Sequence, residues 1–89
     1  MIRSKLFIKR DVGTQSVIVA VGEASRRFHG MITVNGTGAF IWDLLEREIS
    51  LDEIVSVLCE NYEIDEESAR RDASAFLKTL VEVGAIETA

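Results

Sequence analysis

Short runs of apolar, mostly β-branched residues mark the first part of the chain. The runs are Leu6-Phe7-Ile8, then V-I-V-A-V from Val17 to Val21, then an alternation of apolar and polar residues from Phe28 to Val34. Such runs predict three strands, near residues 4–10, 15–22 and 28–34. The connections between them are short, and a parallel crossover needs a dozen or more residues. The pattern therefore favours an antiparallel meander.

The spacing of apolar residues becomes helical after Asn35, which is a favourable N-cap for the amide of Gly38. A first helix follows, with Gly38, Ile41, Trp42 and Leu45 on one face. Gly38 is expected to let this helix approach the sheet closely, and Trp42 to fill the space between them.

Two further helices have clear start signals. Ser50 and Glu53 form a capping box, followed by a stripe of Leu51, Ile54, Val55, Leu58 and Tyr62. Asp65 caps the third helix, whose stripe is Ala69, Ala73, Phe76, Leu77, Leu80 and Val81, and Gly84 is placed to end it. The predicted fold is α+β: a three-stranded antiparallel sheet followed by three helices, resembling a winged helix, in one domain over residues 1–89.

Composition narrows the class of protein. The chain has 89 residues, of which 47% are apolar, and it has one cysteine and a net charge of -5. No apolar run approaches the roughly 20 residues that span a bilayer, and the N-terminal segment is too often interrupted by charge to be a signal peptide. The sequence therefore predicts a soluble, cytoplasmic protein that does not bind a membrane.

The charges are divided unevenly along the chain. Residues 1–34 hold six basic and two acidic residues, a balance of +4, whereas residues 35–89 hold four basic and thirteen acidic residues, a balance of -9. A basic front half is thus joined to an acidic back half. Because nucleic-acid binding depends on neutralising phosphates, the acidic helical half argues against a nucleic-acid partner.

Three segments together resemble the PqqD family. They are V-N-G-T-G-A-F-I-W-D-L-L from Val34 to Leu45, S-L-D-E-I-V from Ser50 to Val55, and A-R-R-D-A-S-A-F-L-K-T-L from Ala69 to Leu80, with a closing Gly84-Ala85-Ile86. The resemblance extends over most of the chain, from about Phe28 to Ile86. Each segment alone is a weak signal.

The resemblance implies a function and a set of partners. Members of this family are recognition elements that bind the leader segment of a ribosomally made precursor peptide. They deliver it to a modifying enzyme, such as a radical S-adenosylmethionine protein, a cyclase or a leader peptidase. In this family the leader adds as a strand along the third strand and lies against the third helix. The resemblance therefore implies a non-catalytic accessory protein without a cofactor.

An open strand edge is a physically sensible place for such binding, because its unpaired N–H and C=O groups can pair with another extended chain. The expected peptide-binding residues lie on the third strand and one side of the third helix. Those on the strand are Arg27, Phe28, His29, Gly30, Met31, Ile32 and Thr33. Those on the helix are Ala69, Arg70, Arg71, Ala73 and Phe76. The arginines and His29 would favour an acidic leader residue, and Ala69, Ala73 and Phe76 beside Met31 would form an apolar wall.

Catalytic and metal chemistry have little support in the sequence. His29 is the single histidine, and Cys59 lies next to Leu58 on the second helix, where a small buried apolar role fits better than nucleophilic chemistry. The spaced Cys/His set of a zinc site is missing. Ten of the fifteen carboxylates lie between Asp43 and Glu67, on outward helical positions and at caps. The sequence therefore predicts neither an enzyme nor a metal site.

Two other functions remain as alternatives. One is a winged-helix DNA-binding protein, whose third helix would enter the major groove. The other is a module that binds a folded protein, rather than a leader, through its apolar edge. The sequence also leaves open whether two copies form a homodimer.

Overall fold

The sheet and the helices follow the predicted order. The structure of the protein, a computed structural model, describes residues 1–87. A short strand β1 (Ile2–Arg3) precedes β2 (Phe7–Val12), β3 (Gln15–Ala20) and β4 (Met31–Val34), and the last three form an antiparallel sheet in the order β2-β3-β4. Three helices follow, α1 (Gly36–Leu44), α2 (Leu51–Asn61) and α3 (Glu66–Glu82), and then strand β5 (Ile86–Glu87). The α+β prediction is confirmed.

The segment before β4 is not a strand, although the sequence predicts one from residue 28. A 3-10 helix covers Gly22–Arg26, and the amides of Arg27 and Phe28 both donate to the Ala24 carbonyl at 3.0 Å. The Phe28 ring packs 6.2 Å from that of Phe7, centroid to centroid. Because these amides and this ring are engaged in the turn, pairing with β3 begins only at Met31.

The first predicted strand, near residues 4–10, begins later in the structure, at Phe7. The Leu6 amide donates to Ser4 Oγ at 3.1 Å and the Ser4 amide to the Ala85 carbonyl at 2.8 Å, so the chain turns before β2 begins at Phe7. Antiparallel pairing of β1 with β5 joins the two ends of the described chain. This pair could not be predicted from the sequence, because two-residue strands have no apolar period to detect.

The helices begin where their caps predicted, and α3 ends before Gly84 as predicted. Asn35 Oδ1 accepts the Gly38 amide at 2.7 Å, the Ser50–Glu53 capping box is complete, and Asp65 Oδ1 accepts the Ser68 amide at 2.6 Å. This backbone hydrogen bond to Ser68 lowers the pKa of Asp65 below its usual value. Gly84, at φ +79°, ends α3 in the left-handed conformation that favours glycine.

One core joins the inner face of the sheet to all three helices. It includes Ile18 of β3, Trp42 of α1, Leu58 of α2 and Leu80 of α3, each no more than 1% exposed. Two residues of the predicted stripes lie outside it. Val81 is 54% exposed because it lies one position past Leu80, beyond the edge of the stripe, and Tyr62 is 40% exposed because α2 ends at Asn61.

Candidate functional site

The sheet has two open edges, and they differ in charge. β3 is paired on both sides, so β2 and β4 each have one unpaired side. The β2 sequence includes Lys9, Arg10 and Asp11, whereas β4 is Met-Ile-Thr-Val. Charged side chains on an edge strand are a common means of preventing another chain from pairing with it. By this criterion β4 is the edge that is open to an incoming strand.

An ion pair also crosses the space beside β2. Lys9 Nζ contacts both carboxylate oxygens of Asp43 on α1, at 2.9 and 3.2 Å. The pair lies in a cleft of about 560 Å³ between β2 and α1, whose lining includes Arg3, Trp42 and Glu46. This ion pair adds to the charge on the β2 side of the sheet.

The β4 edge has a pocket beside it whose lining is partly apolar and partly polar. Ile32 and Val34 point towards the core, since Ile32 lies opposite the fully buried Ile18 in the register and both residues pack in or against the core cluster. A pocket of about 200 Å³ lies between the end of β4, the start of α1 and the middle of α3. It is lined by Thr33, Val34, Asn35, Thr37, Gly38, Ile41, Asp72 and Phe76. We call the open β4 edge together with this pocket the β4–α3 groove.

The predicted residues of α3 do not all reach the groove. Phe76 lines the pocket and is partly buried. Ala69 and Ala73 are 0% exposed, so they support the groove from beneath and offer no surface to a peptide. Arg70 lies on the other side of α3, where its Nη2 is 2.9 Å from Asp52 Oδ1, and this hydrogen bond raises the pKa of Arg70. Arg71 is exposed, with Nε 3.8 Å from Asp72 Oδ1.

The residues 27–33, which were predicted to bind the peptide, also lie in different places, and only some of them belong to the groove. Ile32 and Thr33 belong to the groove, but Met31 is 64% exposed and points to the opposite face of the sheet, because it lies opposite Val19 rather than Ile18. Phe28 packs against the core, and the exposed His29 and Gly30 precede the strand. Arg27 lines a separate pocket of about 120 Å³ with Leu6, Glu23 and Val83.

Asp72 lines the pocket although it was not among the predicted peptide-binding residues. It lies three residues after Ala69 and four before Phe76, so helical spacing places it on the same side of α3. It is the one charged residue that lines the pocket. Helical spacing could therefore have predicted that Asp72 lies beside Phe76 in the groove. The pocket contains a carboxylate, whereas arginines were predicted there.

Gly38 sets how closely the walls of the groove approach one another. A methyl group added there would lie 3.3 Å from Val34 Cβ and from Asn35 Oδ1, and 3.4 Å from Phe76 Cε1. The first two distances are shorter than ordinary van der Waals contact, and the third is at its lower limit. The close approach predicted for this glycine is therefore confirmed.

Replacing Gly38 by alanine is expected to lower the free energy of unfolding by about 1 kcal/mol, since overpacking outweighs the gain in helix propensity. Urea denaturation followed by circular dichroism measures the change. Gly36→Ala is the matched control, because nothing lies within 4 Å of its added methyl group in the same helical turn. Equal effects of the two substitutions would contradict this account of the groove.

Within residues 1–87 no group of three His, Cys, Asp or Glu side chains is placed to hold a metal ion, and no helix is long and apolar enough to cross a membrane. Cys59 is a free thiol, partly buried against the core. His29 is exposed.

Comparison with known proteins identifies the class of this chain. Residues 15–86 match the family described as coenzyme PQQ synthesis protein D (PqqD). Since the match extends over most of the sequence, the chain belongs to the PqqD family. No curated protein matches it.

A solved structure shares the fold. It is described as TbiB1 in complex with the TbiA(beta) leader peptide, and it is 24% identical to this chain with a TM-score of 0.77. The superposition covers 100% of this chain and 98% of the other. The likeness therefore extends to the whole described arrangement of sheet and helices.

Proposed function

We propose that this protein binds the leader segment of a ribosomally made precursor peptide by strand addition to β4, and presents it to a modifying enzyme. The observation that carries the proposal is the uncharged open edge of β4 beside a pocket lined in part by Val34, Ile41 and Phe76. Membership of the PqqD family and the fold shared with a leader-binding protein support it. The protein acts as a single-domain, non-catalytic accessory protein in the cytoplasm, and its enzyme partner is a radical S-adenosylmethionine protein, a cyclase or a leader peptidase.

The groove supplies the two kinds of contact that such binding needs. Main-chain hydrogen bonds to β4 position an extended peptide but do not by themselves offset the 2 to 5 kcal/mol or so that ordering it costs. An apolar side chain buried in a pocket contributes roughly 1.5 to 3 kcal/mol. The pocket floor of Val34, Ile41 and Phe76 provides for one such side chain.

The structure gives no support to the alternative of DNA binding. Over its 17 residues α3 carries four acidic and three basic side chains, a net charge of -1. Arg70, one of the three basic residues, is held by Asp52 and Glu66. A helix with this charge would repel the phosphates on either side of a major groove.

Backbone N-methylation of the leader tests strand addition directly. In an added strand, alternate N–H groups point at β4 and the others point away. Methylating one residue at a time is expected to weaken binding by at least tenfold at every second position and to leave the intervening positions within about threefold of the unmodified peptide. Fluorescence anisotropy with a labelled synthetic leader measures each affinity.

The intervening positions are the internal control, since they carry the same methyl group. A loss that repeats every three or four residues would indicate that the leader binds as a helix. Equal affinities throughout would show that no strand is formed.

A further inference from the structure

Asp72 gives the pocket of the β4–α3 groove its only charged side chain among the residues that line it. The residues three or four positions away on the same side of α3 are Ser68, Ala69, Ala75 and Phe76. None of these carries a charge, and β4 has no charged residue either. A peptide lying between β4 and this side of α3 therefore meets a single negative charge.

The stability of α3 does not explain an aspartate at this position. Asp72 lies in the second turn of a 17-residue helix, too far from its N-terminus for the helix dipole to favour a carboxylate. Aspartate also has a lower helix propensity than alanine, glutamate or lysine. Its ion-pair partner Arg71 has Nε 3.8 Å from Asp72 Oδ1 and a side chain that is 72% exposed, so the pair contributes little. The carboxylate is thus available to a ligand.

The start of α1 lies across the pocket and has the partial positive charge of a helix N-terminus. That charge amounts to about half an elementary charge, and the Gly38 amide, which contributes to it, already donates to Asn35 Oδ1 at 2.7 Å. The full charge of Asp72 outweighs it. The helical half of the chain adds to the negative field, since residues 35–89 have a balance of -9.

We propose, resting on the function proposed above, that the leader carries a lysine or arginine whose charge pairs with Asp72 where the peptide passes the pocket. The lining suits such a side chain because it combines a carboxylate with apolar surface from Val34, Ile41 and Phe76. Lysine and arginine lay their methylene stems along apolar surface and keep the charged end beside a partner or in water. Asp72 is therefore a specificity-determining residue, and the charge it selects is opposite to the acidic leader residue predicted from the sequence.

Removing the charge of Asp72 tests this pairing. The probe is the synthetic leader of the precursor encoded beside this protein, labelled for fluorescence anisotropy. Asp72→Asn is expected to weaken its binding about three- to tenfold, the range of an ion pair that is partly shielded from water. Asp72→Lys should weaken it at least tenfold, because repulsion replaces attraction. Glu82→Gln is the matched control, since it removes one charge from an exposed position of the same helix outside the pocket lining.

A double-mutant cycle identifies the leader residue that pairs with Asp72. Each lysine and arginine of the leader is replaced in turn by glutamine. At one position the replacement is expected to weaken binding to the wild-type protein and to have no further effect on Asp72→Asn. A glutamate at that position should restore binding to Asp72→Lys. Raising the salt concentration to about 1 M should bring the affinities of wild type and Asp72→Asn together, because salt screens the pair.

The possible results distinguish this specificity from leader binding itself. Equal affinities of wild type and Asp72→Asn, or tight binding of a leader without lysine or arginine, would overturn the pairing and leave strand addition intact. Equal affinities together with a lower free energy of unfolding in Asp72→Asn would show that Asp72 instead stabilises the start of α1. If the leader fails to bind the wild-type protein, both proposals fall.

Discussion

Replacing Phe76 by alanine is expected to weaken leader binding by about 10- to 150-fold. Phe76 forms a wall of the pocket beside β4 and is partly buried, so its ring remains available to a peptide side chain. Loss of a large apolar contact of this kind costs roughly 1.5 to 3 kcal/mol, and each 1.4 kcal/mol or so is a factor of ten in affinity. Titration of a labelled leader by fluorescence anisotropy measures the loss.

The matched control is Phe40→Ala. Phe40 is also partly buried against the core, but it lies on α1 with its ring 5.4 Å from that of Tyr62, outside the pocket lining. It should cost stability while leaving leader affinity within about twofold of wild type. Similar losses of affinity in the two variants would show that Phe76 acts through the fold rather than through contact.

Replacing Trp42 by alanine is expected to reduce the free energy of unfolding by about 3 to 5 kcal/mol. Trp42 is the largest fully buried side chain, 1% exposed, and the Arg3 guanidinium lies 5.6 Å from its ring centroid. The free energy of unfolding of a domain of this size is only about 5 to 13 kcal/mol, so this substitution would remove a large part of it. Urea denaturation followed by far-ultraviolet circular dichroism measures the change without relying on tryptophan fluorescence.

Trp42→Phe provides the comparison for that experiment. It retains most of the apolar volume and a ring face for Arg3, so a smaller loss is expected, of about 1 to 2 kcal/mol. A cost below 1 kcal/mol for the alanine variant would contradict the central position of this side chain in the core.

The start of each helix could be predicted from the sequence because caps are local. Asn35, Ser50 and Asp65 each accept an amide three residues further on, a geometry that follows from the residue type and its spacing. The order of strands and the helical stripes followed from apolar periodicity in the same way. These features depend on neighbours along the chain, which a single sequence contains.

The groove could be predicted only in part, because its walls come from distant segments. Periodicity placed Ala69, Ala73 and Phe76 on one side of α3, but not the depth at which each lies, and only Phe76 reaches the surface. Alternation along β4 places Met31 on the face opposite to Ile32 and Val34, so it does not join the apolar wall with Phe76. The amides of Arg27 and Phe28 donate to the Ala24 carbonyl, and β4 begins only at Met31.

The ion pair between β2 and α1 has a consequence for concentrated solutions. A protein with two free strand edges can stack head to tail, the β2 of one molecule against the β4 of the next, and such a contact does not close on itself. The Lys9–Asp43 pair, with Arg10 and Asp11, places charge beside one half of every such joint. We expect this charge to disfavour head-to-tail stacking while β4 stays uncovered for its ligand.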